Sequence, residues 1–407
     1  MVLLKNIIYS LGVVLFPIAS FACNAPILPG DAVNILDYGA VANDGIDDTE
    51  KIQQAIEDTS DKGGTLYIPA GTFLINPAFQ GPNQWGAIVD RMGIYPHSNM
   101  TIILDQNAVL KAIPTAEENY SVISFVNVNN VTLAGGQVRG ERYGHLGSTG
   151  EHGRVLGIWS SSNIDVINTR ISDAWGDGVY MWDDSNKKTE NIHFCNVTVS
   201  SSRRQGIGIV GATNVLIEDS KILGSHGTSP ESGINCEPNP GQQVTNVVIR
   251  NCEISGNAGT GVRFDGLDGV THGNRLEDSV VSDNGYNGIF IDNSQGNILK
   301  RNLLENNGTS TSWVAAIVLK NAQNTLVENN SLRDTLTQGD HCRGVQVVEL
   351  SSGVTIHDND ICIDEETLRI DDRSTDNHAF VETENTFCTR DARTSRIKLD
   401  FLSLLLR

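Results

Sequence analysis

Three carboxylates recur at one position of a repeated five-residue segment. The segment begins with Gly or Ala, its second residue is Ile or Val, and its fourth residue is apolar in most copies. Its eight copies occupy 157–161, 178–182, 206–210, 233–237, 261–265, 288–292, 316–320 and 344–348. Its fifth residue is Glu237, Asp265 and Asp292 in three successive copies. Neighbouring carboxylates can act as general acid and base, or can supply the oxygen ligands that Ca²⁺ prefers. These residues are therefore the predicted catalytic groups and, alternatively, the predicted metal ligands.

The other outward positions of the segment suit the binding of a sugar chain. Alternate residues of a strand point to opposite sides, so the third and fifth residues should face outward and form two ladders with a spacing of about 4.8 Å. The ladders supply the predicted substrate-binding residues Trp159, Tyr180, Trp182, Asn235, Arg263, Phe290 and Lys320. Aromatic residues lie at one end, where sugar rings can stack, and charged residues follow, where polar groups of the sugar can be held.

Long connections before these segments add further candidates. The connection at 225–232 carries His226, a predicted catalytic residue, and the one before Gly206 carries Arg203 and Arg204, which are predicted to bind substrate. Insertions in a regular solenoid gather on its binding face. The coils from Gly206 to Asp292 are therefore the predicted active site.

The segments belong to a longer repeat that predicts a β-solenoid. Asn or Gly followed by a short β-type run recurs from Asn130 onward at intervals of 23 to 33 residues. Such a period, with two-residue alternation, indicates stacked coils of short strands. Asn tolerates the left-handed backbone of a tight turn, and stacked Asn side chains can hydrogen-bond to each other. We predict coils over 130–364 in one β-helix domain at 23–367, and a C-terminal cap or tail at 368–407.

The segment from Asn34 to Ile75 resembles the start of the pectate-lyase-like superfamily. It contains a predicted helix from Asp48 to Ile56, and the resemblance extends with the repeat to Asp364. The superfamily includes polygalacturonases, rhamnogalacturonases, alginate epimerases and phage tailspikes. The resemblance implies an all-β fold, a single-stranded right-handed parallel β-helix whose residues 34–75 form a cap with one short helix, and a polysaccharide as substrate.

Charge and the first residues predict an exported protein. Lys plus Arg number 29 against 49 Asp plus Glu, a net charge of −20 that disfavours nucleic acid as a partner. Residues 1–22 have one Lys, an apolar run and small residues before Ala22, as in a secretory signal peptide. Cleavage near Ala22 would give a secreted protein, periplasmic or extracellular, without membrane insertion. Ser20 stands where a lipoprotein signal usually has Leu, which disfavours lipid attachment at Cys23, and the oligomeric state stays open.

The seven cysteines lack the spacing of a disulfide framework or a zinc site. Cys195, Cys236 and Cys252 fall in strand-like runs and are predicted to pack as small apolar residues. The remaining cysteines near the end of the chain are Cys342, Cys362 and Cys388. A bridge among these could fasten the C-terminal end.

Hydrolysis of a glycosidic bond is the first of three predicted functions. It uses two carboxylates, and Glu237 would lie about 5 Å from Asp265 on the next coil and about 10 Å from Asp292, measured at Cβ. The polygalacturonase signatures Asn-Thr-Asp, Gly-Asp-Asp and Gly-His-Gly correspond loosely to residues 168–170, 176–178 and 225–227, each with one difference. The resemblance therefore places hydrolysis first without selecting the carboxylate pair.

Elimination or C5-epimerisation of a uronic acid polymer is the first alternative. Residues 236–239, followed by 261–265, resemble the alginate-epimerase region around its Asp-Pro-His-Glu motif, without the His. This alternative would use Ca²⁺ on the three carboxylates and Arg263, Lys320 or Arg204 as base or clamp. No other cofactor is predicted. The second alternative is a non-catalytic β-helix that binds a glycan without turnover.

Overall fold

Short strands separated by tight turns wind into a parallel β-helix. The structure is a computed structural model that describes residues 23–60, 64–79, 91–184, 187–310, 314–333, 343–363, 367, 369–375 and 380–388. Each full coil passes through three sheets, which we name A, B and C in the order in which the chain visits them. The predicted signal peptide at 1–22, Cys342 and residues 389–407 of the predicted tail lie outside the described residues.

All pairings between neighbouring coils in the described ranges are parallel. Sheet A contains Val33–Asn34, Thr65–Ile68, Met100–Leu104, Asn129–Ala134, Ser162–Ile167, Glu190–Cys195, Ala212–Glu218, Gln243–Arg250, Val270–His272, Arg275–Glu277, Ser294–Gln295, Ile298–Lys300, Leu326–Glu328, Val354–His357 and Phe380–Thr383. Sheet B contains Gly71–Ile75, Ala108–Ala112, Gln137–Arg139, Arg170–Ser172, Thr198–Ser200, Lys221–Leu223, Glu253–Ser255, Val280–Ser282, Leu303–Glu305, Ser331–Arg333, Asp360–Cys362 and Thr386–Phe387. Sheet C contains Arg91–Ile94, Asn119–Val126, His152–Trp159, Val179–Trp182, Ile207–Ile209, Ile234–Cys236, Val262–Asp265, Ile289–Asp292, Ala315–Lys320, Arg343–Glu349 and Ile370–Ser374.

One α-helix, Thr49–Ser60, packs near the N-terminal end of the coil. Its apolar face buries Ile52, Ala55 and Ile56 in the core that continues through the solenoid. Gln53 accepts from the backbone N–H of Tyr95 at 3.0 Å and donates to its carbonyl at 3.3 Å, which fastens the helix to the coil. The predicted helix is therefore confirmed. Two short 3₁₀ turns occupy Ile35–Tyr38 and Arg142–Gly144, and no helix within the described residues is long and apolar enough to span a bilayer.

The coil extends beyond the repeat predicted at 130–364. Strands begin well before Asn130, and at the other end Ile370–Ser374 pairs in parallel with Arg343–Glu349. The later strand carries Asp371, Asp372 and Arg373, which hide the apolar alternation that identified the other coils. Its place in sheet C comes from backbone pairing with the preceding coil, from the hydrogen bonds that Asp371 accepts from Arg343 and Gln346, and from the packing of Ile370 against the core.

Asn side chains form a hydrogen-bonded ladder along one turn, as predicted. Its members are Asn99, Asn130, Asn163, Asn191, Asn214 and Asn246, all with positive φ between 54° and 62°. Each amide nitrogen donates to the side-chain oxygen of the preceding member at 2.7 to 3.1 Å. Asn serves both needs because it tolerates this backbone and carries one donor and one acceptor group.

The repeated segments align across sheet C as predicted from 178 onward. Ile207 pairs with Ile234, Ile234 with Val262, and so on to Val345, so that apolar residues stack inside. The first segment is displaced by two residues, because Trp159 pairs with Trp182 and Gly157 with Tyr180. The shift preserves the inward face, since the side-chain period of a strand is two.

The outer face of sheet A carries a column of alternating charges, which we call the charge column. Its members are Glu218, Arg250, Glu277, Lys300 and Glu328, paired in register from coil to coil. Arg250 bonds Glu218 at 2.5 Å and Lys300 bonds Glu328 at 2.8 Å. Directly opposed unlike charges stabilise neighbouring strands, whereas like charges destabilise them.

His193 bridges two carboxylates beside this column and should give stability a pH dependence. Its ring nitrogens lie 3.1 Å from Asp165 and 2.9 Å from Glu218. The hydrogen bond with Asp165 raises its pKa above the ordinary 6.5; burial opposes the shift, and Glu218 adds to it. A raised folded-state pKa contributes stability that is full below about 6.5 and is lost as pH rises through the folded value. We expect His193→Gln to lower Tm at acidic pH and to leave it unchanged in alkaline solution; an equal loss of Tm at both ends would contradict this.

Two disulfides join cysteines of the described residues. Cys362 bonds Cys388, which confirms a bridge at the C-terminal end. Cys23 bonds Cys195 across a sequence separation of 172 residues, so the prediction that Cys195 packs as a free apolar residue is wrong. Spacing could not identify this pair, because winding of the coil brings Cys195 to Cys23. Cys236 and Cys252 are buried and free, as predicted.

Candidate functional site

Five polar residues converge at the edge of sheet C, and we call them the Arg204 cluster. Asp177 lies in the turn before Val179–Trp182, and Arg204 and Gln205 lie in the turn before Ile207–Ile209. Asn235 belongs to the strand Ile234–Cys236, and Glu237 directly follows it. Three successive coils therefore contribute to one constellation of side chains.

The guanidinium of Arg204 joins three carboxylates. Nη1 lies 3.2 Å from Asp177 Oδ2, Nη2 lies 3.2 Å from Glu237 Oε1, and Nε lies 3.3 Å from Glu151 Oε2. Burial disfavours the charge on Arg204, but the three carboxylates together raise its pKa. The side chain is only 13 % exposed, so its position is fixed from several sides.

Asp177 is the buried carboxylate of the cluster. The backbone N–H of Gln205 donates to its Oδ1 at 3.1 Å. Burial raises the pKa of Asp177 to about 6, against the opposing effects of Arg204 and Arg154, and the charge of Glu237 raises it further. A carboxyl group that exchanges its proton near neutral pH can serve as a general acid.

Glu237 is the accessible carboxylate of the cluster, with its side chain 29 % exposed. Gln205 Nε2 donates to its Oε1 at 2.7 Å, and Asn235 Nδ2 donates to its Oε2 at 2.8 Å. Its backbone N–H bonds the carbonyl of Ile209 at 2.9 Å. Both oxygens are thus oriented by amide donors while one side of the group stays open to solvent.

Aromatic residues and a second arginine flank the cluster. Arg154 lies 4.4 Å from the ring centre of Tyr180 and 5.6 Å from that of Trp159. Burial raises the pKa of Tyr180 to about 12, with Arg154 opposing the shift, so its hydroxyl remains a hydrogen-bond donor at neutral pH. Trp159 is buried, whereas Tyr180 and Trp182 are half-buried and present part of their surface outward. The predicted aromatic end of the groove is therefore present, with Trp159 mostly covered.

Gly208, which has no side chain, leaves space above the backbone of sheet C in this region. It occupies the outward column between Tyr180 and Asn235. A Cβ at Gly208 would lie 3.0 Å from Oδ2 of Asp177 and 3.4 Å from Cδ2 of Tyr180. The absence of a side chain leaves Asp177 close to the outer face of the sheet.

The other predicted carboxylates do not join Glu237. Strand pairing between these coils ends at Cys236 and Phe264, so Glu237 lies one residue beyond the paired segment, whereas Asp265 pairs with Asp292 on the next coil. Pro238 follows Glu237 and cannot supply a ladder N–H. The predicted separation of about 5 Å between Glu237 and Asp265 therefore stays a prediction.

Asp265 and Asp292 are each buried against a cation. Arg263 bonds Asp265 at 2.5 Å, and Lys320 bonds Asp292 at 3.1 Å. Arg263 also lies 5.1 Å from the ring centre of Phe290, so these predicted binding residues form structural pairs along the groove. Carboxylates already neutralised in this way, and not gathered with Glu237, do not fit the predicted Ca²⁺ site. The possible metal-ligand groups within the described residues lie elsewhere, around the disulfides and His193.

His226 and Arg203 belong to the turns beside the cluster. The ring of His226 bonds the carbonyl of Gly224 at 2.9 Å, and its own carbonyl accepts from Arg142 at 2.7 Å. Arg203 lies 3.9 Å from the ring centre of Trp175 and donates to the carbonyl of Gly150 at 2.7 Å. These contacts fasten loops to one another, and within the described residues no hydrogen bond or ion pair joins either side chain to the Arg204 cluster.

Sequence reasoning missed Asp177, Glu151, Arg154, Gln205 and Gly208. Asp177 stands in the one stretch, 176–178, that was compared with the Gly-Asp-Asp signature. The match to this signature therefore pointed to Asp177. The prediction, however, took its carboxylates from the two outward-facing columns of strand residues, and Asp177 lies in a turn before a strand. Only the stacking of turns shows that Asp177 and Glu237 contact the same guanidinium.

Comparison with families and relatives supports the fold. The model described as "Right handed beta helix region" matches residues 154–308 and 232–387, which together span more than half of the chain. The uncharacterized protein YclG of Bacillus subtilis (strain 168) is 30 % identical over 292 residues, which are 66 % of this chain and 49 % of that protein. The chain thus spans about half the length of this curated relative.

Two solved structures share the coil at low sequence identity. The A-module of mannuronan C-5 epimerase AlgE6 of Azotobacter vinelandii has a TM-score of 0.61 and 13 % identity, over 87 % of this chain and 99 % of that one. PfbA, a surface adhesin of Streptococcus pneumoniae, has a TM-score of 0.55 and 16 % identity, over 88 % of this chain and 91 % of that one. At this identity, the likeness establishes the fold alone.

Proposed function

Because this chain belongs to the right-handed β-helix family and its Arg204 cluster lies at the edge of sheet C, we propose that it binds and hydrolyses a polysaccharide along that sheet. One observation carries the proposal: Asp177 and Glu237 contact the same guanidinium but have opposite environments. Asp177 is buried, with a raised pKa, and Glu237 is open to solvent. A buried carboxyl group that can hold a proton, beside a solvent-accessible carboxylate, is the kind of pair that glycoside hydrolysis uses.

In this mechanism Asp177 is the general acid and Glu237 the partner carboxylate. Asp177 would give its proton to the oxygen of the glycosidic bond as that bond breaks. Glu237 would either activate a water molecule or attack the anomeric carbon, according to the separation of the two carboxyl groups when substrate is bound. Gln205 and Asn235 hold both oxygens of Glu237 in one orientation, which reduces the reorganisation needed during the reaction.

Arg204 must move for this chemistry, since it covers Asp177. A sugar that enters between Tyr180 and Asn235 would occupy the space left by the missing side chain of Gly208. It would also compete with Glu237 for Arg204. Release of Arg204 from Asp177 would favour the protonated form of Asp177, because the positive charge lowers its pKa. Tyr180 and Trp182 would supply surfaces for the adjacent sugar rings.

Elimination or epimerisation of a uronate polymer is the second candidate. It is favoured by the two cations, Arg154 and Arg204, whose charges both act on Asp177, and by the solvent-accessible carboxylate of Glu237 beside Arg204. They would neutralise the carboxylate of the sugar while Glu237 removes the neighbouring proton. The two disulfides support export in either case, because disulfides persist in oxidising compartments.

Incubation with neutral and acidic polysaccharides tests these proposals. Hydrolysis gives new reducing ends without unsaturated products, elimination gives both, and epimerisation changes the uronate composition without cleavage. We expect reducing ends that disappear in Asp177→Asn and persist in Glu253→Gln, a control on sheet B whose carboxylate pairs with Lys221 at 2.7 Å. Tight binding without any product would overturn the enzymatic proposal and support an adhesive protein.

The rate of hydrolysis should fall as pH rises through about 6, where Asp177 loses its proton. The folded state then binds more protons than the unfolded state between 3.8 and about 6, so stability should also decline across that window as pH rises. Asp177→Asn should abolish the rate and remove the decline in Tm. Measurement of kcat/KM, which reports the free enzyme, and of Tm across this range checks the prediction, and a kcat/KM that rises through the window would contradict it.

A further inference from the structure

A separate cavity opens on sheet B. It has a volume of about 230 Å³ and lies beside the 3₁₀ turn Arg142–Gly144. Lys111, Arg139, Arg142 and Tyr143 contribute to its lining, and no member of the Arg204 cluster does. The cavity is therefore distinct from the proposed catalytic region on sheet C.

Two cations on consecutive coils face this cavity. Lys111 pairs in register with Arg139, and like charges in this relation destabilise a sheet. Arg139 is neutralised by Asp173 at 2.6 Å, whereas Lys111 is exposed and has no ion pair among the described residues. A persistent positive charge is notable in a chain whose net charge is −20.

The acidic residues of the lining do not compensate Lys111. Glu141 is directed inward, where its carboxylate accepts from Tyr120 and lies 2.8 Å from Nδ1 of His145. Asp173 is occupied by Arg139. An anionic group that enters the cavity would therefore meet an available cation.

Tyr143 offers an aromatic surface next to this charge. Tyr143 is 71 % exposed to solvent, and the guanidinium of Arg142 lies 5.2 Å from the centre of its ring. Arg142 is itself fixed, because it donates to the carbonyl of Ser201 at 3.0 Å and to that of His226 at 2.7 Å. An exposed ring at a rigid turn is suited to stacking against a sugar.

We propose that this cavity binds one carboxylate-bearing sugar residue, with its carboxylate on Lys111 and its ring against Tyr143. The volume is below the range of about 300–1,000 Å³ of sites for larger ligands, which fits one sugar ring and not a chain of several. The choice of a glycan rests on the proposed function, but the site itself does not. It would hold a uronate-containing polymer at a point away from sheet C.

Isothermal titration calorimetry of the full chain with the trimer of galacturonate tests this site. We expect Lys111→Gln and Tyr143→Ala each to abolish one binding event, while Trp182→Ala, on sheet C, leaves that event in place. Lys221→Gln and Tyr286→Ala are matched controls, since Lys221 and Tyr286 are exposed and lie outside the lining.

The outcomes separate this proposal from the proposed function. If Lys111→Gln abolishes binding and the wild-type protein hydrolyses no polysaccharide, the site is supported and only the enzymatic function is overturned. Binding that Trp182→Ala alone abolishes, equal binding of a neutral galactose trimer, or no binding of the galacturonate trimer would each overturn the site.

Discussion

Glu237→Gln should lower the rate of polysaccharide hydrolysis by about 10²–10⁴-fold, the usual contribution of a general acid or base. The amide keeps the size of the side chain but cannot remove a proton from water or attack a sugar. Arg204 would keep its contacts with Asp177 and Glu151, so the cluster should stay assembled. The measurement is kcat on the best polysaccharide of the panel, with Tm as the check on folding.

Glu253→Gln provides the matched control for this loss. Glu253 is a partly exposed, ion-paired Glu on sheet B, so its replacement removes the same charge outside the cluster. A Glu237→Gln protein that retains more than about a tenth of the wild-type rate would exclude Glu237 as the acid or base. A parallel loss in Glu253→Gln would attribute the effect to the net charge of the protein.

Phe264→Ala should lower the free energy of unfolding by about 3–5 kcal/mol, because it opens a cavity inside the coil. Phe264 is fully buried, between Cys236 and Ile291 on the neighbouring coils. Phe290→Ala is the matched control, since Phe290 is half-buried on the outer face and packs against Arg263. Urea unfolding followed by circular dichroism measures both, and equal losses would contradict an inward Phe264.

The fold could be predicted from sequence because its determinants are local. An Asn or Gly at many of the tight turns and an Ile or Val at the second position of each segment specify, coil by coil, where the chain bends and which face is inside. The predicted register was wrong at 157–161, where the strand His152–Trp159 is longer than the following strand Val179–Trp182 and admits a two-residue displacement. Apolar periodicity alone cannot distinguish positions two residues apart.

The candidate site could be predicted only in part. Glu237 and Arg204 were selected, but their partner Asp177 was missed because contact between them depends on how three turns stack. Asp265 and Asp292 looked like free carboxylates because a sequence does not show which cation folds over them. Periodicity therefore reveals which way a residue faces in a strand, but not what a long charged side chain reaches.

The charge column on sheet A limits how this chain can change length. Loss of the coil that contains Arg250 would place Glu218 opposite Glu277, and loss of the next coil would place Arg250 opposite Lys300. Loss of both coils together would place Glu218 opposite Lys300 and restore attraction. Across this stretch, coils should therefore be gained or lost in pairs. Only a change by an even number of coils lets the solenoid lengthen or shorten without bringing like charges opposite each other on sheet A.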